Sequence, residues 1–236
     1  VMFKHSANTD HKAMPQLIIF DFDGTLAETE ALIAKIASLK LKALGVDIEA
    51  RTIAETFAIE TLDDDVAVLE RLLNRALHLE FMDEVRADVR ASILNGLEAT
   101  PGSFEVLSIL KVPFCVASNA SRADLIRRLR AAGLFELVGP RFFSAHDVGV
   151  KKPDPGVFLL AAEAMGVKPQ DCLVVEDSMA GIQAARRASM RYVAFAGASH
   201  HSEQSRRNLF EAKPEAMLVN MGQLLAYLEK LGQVEI

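Results

Sequence analysis

Cysteine, tryptophan and tyrosine are scarce in this 236-residue chain: there are two, none and two. The two cysteines, Cys115 and Cys172, lie inside apolar runs. They cannot build a disulfide framework and read as buried thiols of a reducing compartment. No apolar run approaches the roughly 18 residues of a membrane span. Residues Val1 to Pro15 lack the apolar stretch of a signal peptide. These absences predict a cytoplasmic protein with no membrane partner. Excess positive charge is missing too, since the net charge is −6. Bulk electrostatics therefore do not favour nucleic acid, and an anionic ligand has to be held by local positive charge. No repeat or low-complexity linker is visible, and 50% apolar with 25% charged residues is an ordinary globular composition.

What is present is organised around Asp21-Phe22-Asp23-Gly24-Thr25. These residues follow Leu17-Ile18-Ile19-Phe20, a run that reads as a buried strand. Carboxylates are poor core residues. At the end of a parallel strand they reach the ligand crevice of an open α/β sheet.

Beyond Thr25, helical spacing dominates to about Asn95. Leu32, Ile33, Ile36, Leu39 and Ala43 form one face, and Gly45 stops that helix. Shorter helices are predicted over 52–57, 62–79 and 81–94. Asp63-Asp64-Asp65 reads as a favourable helix N-terminus. The α/β alternation then resumes. Strands are predicted at 113–117, 141–144, 172–175, 192–196 and 216–219. Helices are predicted over 101–110, 120–132, 157–165, 178–188 and 221–231. Asp154 and Pro155 suit the start of the third. Alternation of this kind implies a parallel sheet with right-handed crossovers. The expected division is a loose extension at 1–14, a core of 15–27 and 97–236, and a helical cap at 28–96.

Polar residues fall at or just after four strand ends: Asp21 and Asp23, Ser118 and Asn119, Lys152, and Glu176 and Asp177. One sheet edge brings them together. Carboxylates without His or Cys make a hard oxygen site that suits Mg2+ and not Zn2+. A lysine, a hydroxyl and a helix N-terminus beside it suit a transferring phosphoryl group.

DFDGT, the Ser-Asn turn, KKPDP and VVEDSMAGIQAA together resemble the haloacid dehalogenase superfamily. The helical insert resembles the cap of its β-phosphoglucomutase and phosphoglycolate phosphatase branch. VPFCVASN and KPDPGVFLLAAEAMGV are similar to bacterial sugar phosphatases acting on 6-phosphogluconate. The resemblance implies a Rossmann-like core and a Mg2+-dependent phosphatase of small phosphorylated metabolites, such as sugar or sugar-acid monophosphates. It implies Asp21 as nucleophile, Asp23 as acid and base, and Ser118 and Asn119 as phosphate contacts. Lys152 would neutralise phosphate charge. Asp21, Asp23, Asp177 and Glu176 would form the metal site. Glu28, Thr29, Glu60 and Thr61 would touch the rest of the substrate. The presence of Asp23 argues against a dehalogenase. A phosphomutase and a non-catalytic binding module are the alternative readings, and a monomer is expected. Arg122, Arg127, Arg128 and Arg130 read as a solvated face, and His200-His201 as part of a polar loop. Met165, Met179 and Met190 read as packing.

Overall fold

A computed structural model describes residues 13–59 and 65–232. Its centre is strand β1 (Leu17–Phe20), whose four side chains are fully buried. The other strands are β2 (Phe114–Ser118), β3 (Phe142–Ser144), β4 (Cys172–Glu176), β5 (Arg191–Phe195) and β6 (Met217–Leu218). They form one parallel sheet in the order β3-β2-β1-β4-β5-β6. Chain order reverses beside β1, with β2 on one side and β4 on the other. That is where an open α/β sheet leaves a crevice.

Alternation along the strands sorts the core into two layers. Ile18, Phe20, Val116, Leu173 and Val175 share one cluster with Val106, Leu125, Leu129 and Leu224. Leu17, Ile19, Cys115, Cys172 and Val174 pack instead on Val157, Phe158, Ala161, Ala184 and Ala185. Helices α5 (Ser103–Ile109), α6 (Arg122–Ala131) and α11 (Gly222–Gly232) cover the first face, while α8 (Gly156–Ala164) and α9 (Met179–Arg187) cover the second. Each fully buried Leu, Ile or Phe contributes about 1.5–3 kcal/mol of apolar transfer. Neither Cys115 nor Cys172 is in a disulfide. Burial raises the thiol of Cys115 and pushes that of Cys172 up to about 11.

Between β1 and α5 lie α1 (Thr29–Ala43), α2 (Ala50–Ile59), α3 (Asp65–Leu73) and α4 (Phe81–Ile93). Helix α4 buries Phe81, Val85, Val89 and Ile93, four residues apart along one stripe. Two strands of chain connect these helices to the sheet and run side by side. Ala27 bridges Ala99, the Glu28 N–H reaches the Glu98 carbonyl at 3.0 Å, and the Thr100 N–H reaches the Leu26 carbonyl at 2.9 Å.

Three expectations needed correction. The helix expected over 62–79 stops at Leu73, because Asn74 turns left-handed (φ 48°) and Arg75 N–H closes the end on the Glu70 carbonyl. Residues 62–64 lie outside the described residues. Pro155 sits one position before α8, where the Gly156 N–H donates to Asp154 Oδ1 at 2.8 Å. Two helices were not anticipated, α7 (Phe135–Val138) and α10 (Glu203–Glu211). Helix α10 is polar and buries only Ser205 and Leu209; its local signal is the cap, Ser202, which accepts from the Ser205 N–H. No helix among the described residues is long and apolar enough to cross a membrane.

Candidate active site

The ends of β1, β2 and β4 meet at one edge. The Asp21 N–H still belongs to the sheet, donating to the Val175 carbonyl at 2.9 Å, while its side chain leaves it. Lys152 comes from the loop after β3. Its N–H is held by Asn119 Oδ1 at 2.9 Å, so the turn after β2 places the lysine. Lys152 Nζ donates to Asp21 Oδ1, to Glu176 Oε2 at 2.9 Å and to the Ala117 carbonyl at 3.0 Å. The ammonium is 2% exposed. Burial works against its charge, but Asp21 and Glu176 outweigh that and raise its pKa above the ordinary lysine value.

Both oxygens of Glu176 accept hydrogen bonds. Its Oε1 accepts from the N–H and hydroxyl of Ser178 at 3.1 and 2.7 Å, and Oε2 takes Lys152. Gly181 makes room for it: a Cβ there would lie 1.9 Å from Glu176 Cδ. Ser178 also caps α9 by accepting from the Gly181 N–H at 3.0 Å.

Asp177 completes the cluster. Thr25 Oγ1 donates to Asp177 Oδ1 at 3.2 Å, and His200 Nε2 lies 3.1 Å from Oδ2. Gly24 turns left-handed beside it (φ +81°), and a Cβ there would lie 2.1 Å from Asp177 Oδ2. The carboxyl groups of Asp21 and Asp177 are both raised well above the ordinary range, first by burial and then by the charge of Glu176. Ligand oxygens of Asp21, Glu176 and Asp177 all lie within 4.8 Å of one another. Three buried carboxyls face one ammonium, a negative excess that a hard divalent cation would neutralise. The donors of Asp21, Glu176 and Asp177 are all oxygen. They fit Mg2+.

Asp23 points a different way. Ser118 Oγ donates to its Oδ2 at 2.9 Å, and Arg128 of α6 donates to its Oδ1. Ser118 Oγ itself accepts from the Ala120 N–H at 2.9 Å. So the serine expected to hold phosphate is turned onto the second aspartate.

These groups open on a cavity of about 210 Å³. Its sheet-side lining includes Asp21, Asp23, Asn119, Lys152, Glu176 and Asp177; Glu30, Ala54, Phe57 and Asp65 come from the inserted helices, and His200 from the loop after β5. Glu28 and Thr29 do not line it. Glu28 accepts from the Ser199 N–H and hydroxyl, the latter at 2.6 Å, and Thr29 is fully buried. Glu60 and Thr61 lie outside the described residues. The charged group that faces the cavity from this part of the chain is Glu30, two residues beyond Glu28. Its carboxyl is pushed up to about 7, by burial and then by the charge of Asp23.

A family model described as haloacid dehalogenase-like hydrolase matches residues 15–189. The chain belongs to the haloacid dehalogenase-like hydrolases. Among curated relatives, the 6-phosphogluconate phosphatase of Escherichia coli (strain K12) is 28% identical over 79% of this chain and 85% of its own length. Among solved structures, a haloacid dehalogenase-like protein from Agrobacterium tumefaciens has a TM-score of 0.84 at 32% identity, over 92% of this chain and 99% of that one. A family hydrolase from Deinococcus radiodurans R1, solved with bound phosphate and sodium, has a TM-score of 0.81 at 29% identity, over 93% and 97%.

Sequence reasoning missed two parts of this hydrolase's site. His200 and His201 are not in an open polar loop: they are 4% and 5% exposed, with rings 4.1 Å apart. Burial keeps both imidazoles below the usual range, His201 at about 3. They end up beside Asp177 because Glu28 anchors Ser199, a contact across 171 positions that no local pattern announces. The four arginines of α6 are not one solvated face. Arg122 pairs with Asp147, Arg127 with Asp124, and Arg130 lies over the Phe135 ring, whereas Arg128 turns into the site.

Proposed function

We propose that this chain is a Mg2+-dependent phosphatase of small phosphorylated metabolites, acting through a phosphoryl group carried on Asp21. The observation that carries the reading is the separation of duties between two aspartates two residues apart. Asp21 is held by Lys152 beside the candidate metal carboxylate, and Asp23 is held apart from them by Ser118 and Arg128. One carboxylate is set to attack phosphorus and the other to move a proton.

In the first step an Asp21 oxygen forms a bond to phosphorus as the bond to the leaving oxygen breaks. The departing alkoxide takes the proton of Asp23 and leaves as an alcohol. In the second step water gives a proton to Asp23 and attacks the same phosphorus. The bond to Asp21 breaks, inorganic phosphate leaves, and both aspartates return to their starting state. Lys152 offsets phosphoryl charge while staying bonded to Glu176. Asn119, at the start of the turn before α6, offers its N–H to a phosphoryl oxygen, and Ser118 offers its hydroxyl. Asp21, Asp177 and the Asp23 carbonyl would hold Mg2+, which when bound supplies charge neutralisation at the phosphoryl group.

Helices α1 to α4 serve as a cap over this chemistry, hinged at the paired segments near Ala27 and Ala99. Glu30, Phe57 and Asp65 face the group attached to phosphate, which suits a hydroxylated, sugar-like molecule. Support comes from the phosphate bound in the Deinococcus hydrolase and from the named activity of the Escherichia coli relative.

The test is phosphate release over a panel of sugar, sugar-acid and polyol monophosphates with Mg2+. Turnover of at least one ester is expected. It should be lost with EDTA, restored by added Mg2+, and reduced about ten-thousandfold or more in Asp21→Asn. Undiminished turnover in that variant, or without divalent metal, defeats the reading.

A further inference from the structure

We infer that Arg128 is a positioning residue for Asp23: by holding Oδ1 it makes Oδ2 the oxygen that carries the proton to and from the substrate. This inference rests on the phosphatase reading above.

The geometry assigns the two oxygens unequal roles. A guanidinium only donates hydrogen bonds, so the oxygen facing Arg128 stays an acceptor and cannot carry a proton on that side. A serine hydroxyl both donates and accepts, and its proton turns freely. The bond from Ser118 to Oδ2 is therefore the one that can be surrendered. An incoming phosphoryl oxygen competes for the Ser118 proton, because it is a charged acceptor. Once Ser118 turns to the phosphate, Oδ2 is free to hold a proton and face the leaving oxygen. Phosphate binding and arming of the acid are then one event.

Arg128 is suited to this job by its surroundings. Its side chain is 18% exposed and that of Asp23 is 15% exposed. It stands next to Leu129, which is fully buried in the core, so the backbone beneath it is fixed. Helix α6 starts four residues after Ser118, which gives both donors to Asp23 one local origin. Bond by bond, the acid step forms the alcohol O–H from the Oδ2 proton and leaves an ionised Asp23 that keeps its Arg128 contact. The water step returns a proton to the same Oδ2.

The experiment compares two leaving groups. p-Nitrophenolate departs without a proton, whereas the alkoxide of glucose 6-phosphate needs one. With Mg2+, in single-turnover measurements of leaving-group release, Arg128→Met is expected to slow release from glucose 6-phosphate about a hundredfold and from p-nitrophenyl phosphate less than about threefold, because the later water step is common to both esters and is not read. Arg128→Lys, which keeps a donor on Oδ1, is expected to recover most of the alkyl activity. A structural role for Arg128 lowers both esters together, and a phosphate-binding role raises KM for both. Either result overturns the inference while leaving the phosphatase reading intact. A wild-type enzyme inert toward both esters and the whole panel overturns the phosphatase reading, and the inference with it.

Discussion

The cavity has a sheet wall and a helical wall, and they are built differently. On the sheet wall Asp21, Lys152, Glu176 and Asp177 are nearly or fully buried, and each is tied to a partner far away in the chain. On the helical wall Ala54 and Phe57 offer apolar surface, Glu30 offers a carboxyl, and Asp65 pairs with Arg86 of the same helical layer. The first wall fixes positions before any substrate arrives, which is what phosphoryl transfer demands of a protein. The second presents apolar surface and carboxyls drawn from separate helices, which suits recognition of a variable leaving group. A strand end is a rigid place for a reacting atom. A separate helical layer is a place where sequence can change without disturbing it.

The comparison is tested most severely at Lys152. Lys152→Met removes the ammonium that two buried carboxylates share. Loss of turnover by about a thousandfold is expected, together with about 3–5 kcal/mol of stability. Phosphate release and urea unfolding measure the two. A variant of normal stability would mean that the sheet wall is not a coupled unit.

A smaller effect is expected at Gly181, which touches no substrate. In Gly181→Ala the new methyl would overlap Glu176 and displace it from Lys152. The expected loss is about 1–3 kcal/mol, with activity reduced as Lys152 loses its support. Full activity in a stable Gly181→Ala enzyme would show that Glu176 is not what holds the lysine.

The helical wall is sharpened at Glu30, whose effect is confined to a pH window. The folded carboxyl is pushed up to about 7 from a reference of 4.5. The folded chain therefore binds more protons than the unfolded chain between those values. Its contribution to stability is present below the reference pKa and falls as pH rises toward 7. The wild type is expected to lose about 1–3 kcal/mol from this group over that window, and Glu30→Gln is expected to flatten that part of the profile. Thermal unfolding between pH 4.5 and 7.5 reads the difference. KM should change in the same variant while kcat changes less, because Glu30 lies on the recognition side.

Much of the sheet wall was legible in the sequence, because strand ends and motif residues are local signals. Leu17 to Phe20 announced a buried strand, and Asp21 follows from it. Lys152 was found from its loop, and Asp177 from the end of β4. Glu176 was placed among metal ligands, since a spare carboxylate beside Asp177 reads that way. An oxygen of Glu176 does lie within 4.8 Å of ligand oxygens of Asp21 and Asp177, and the same carboxylate also accepts from Ser178 and Lys152. Less of the helical wall was legible. Glu28 and Glu30 differ by two positions, and only the direction of the chain entering α1 decides which one faces the cavity. His200 and Arg128 were misread for one shared reason. A polar residue in a polar stretch has no periodic signature, and its burial depends on a partner brought from elsewhere: Glu28 acting through Ser199 in one case, Asp23 in the other.

The central claim is that Asp21 takes the phosphoryl group while Asp23 moves the proton. Intact-protein mass spectrometry on enzyme acid-quenched during turnover of an active ester with Mg2+ tests it most directly. The expected result is an enzyme population heavier by one phosphoryl group, with the modification mapping to the peptide containing Asp21 and absent from Asp21→Asn. Turnover with no phosphorylated enzyme under any quench time, or phosphorylation at another residue, would contradict it.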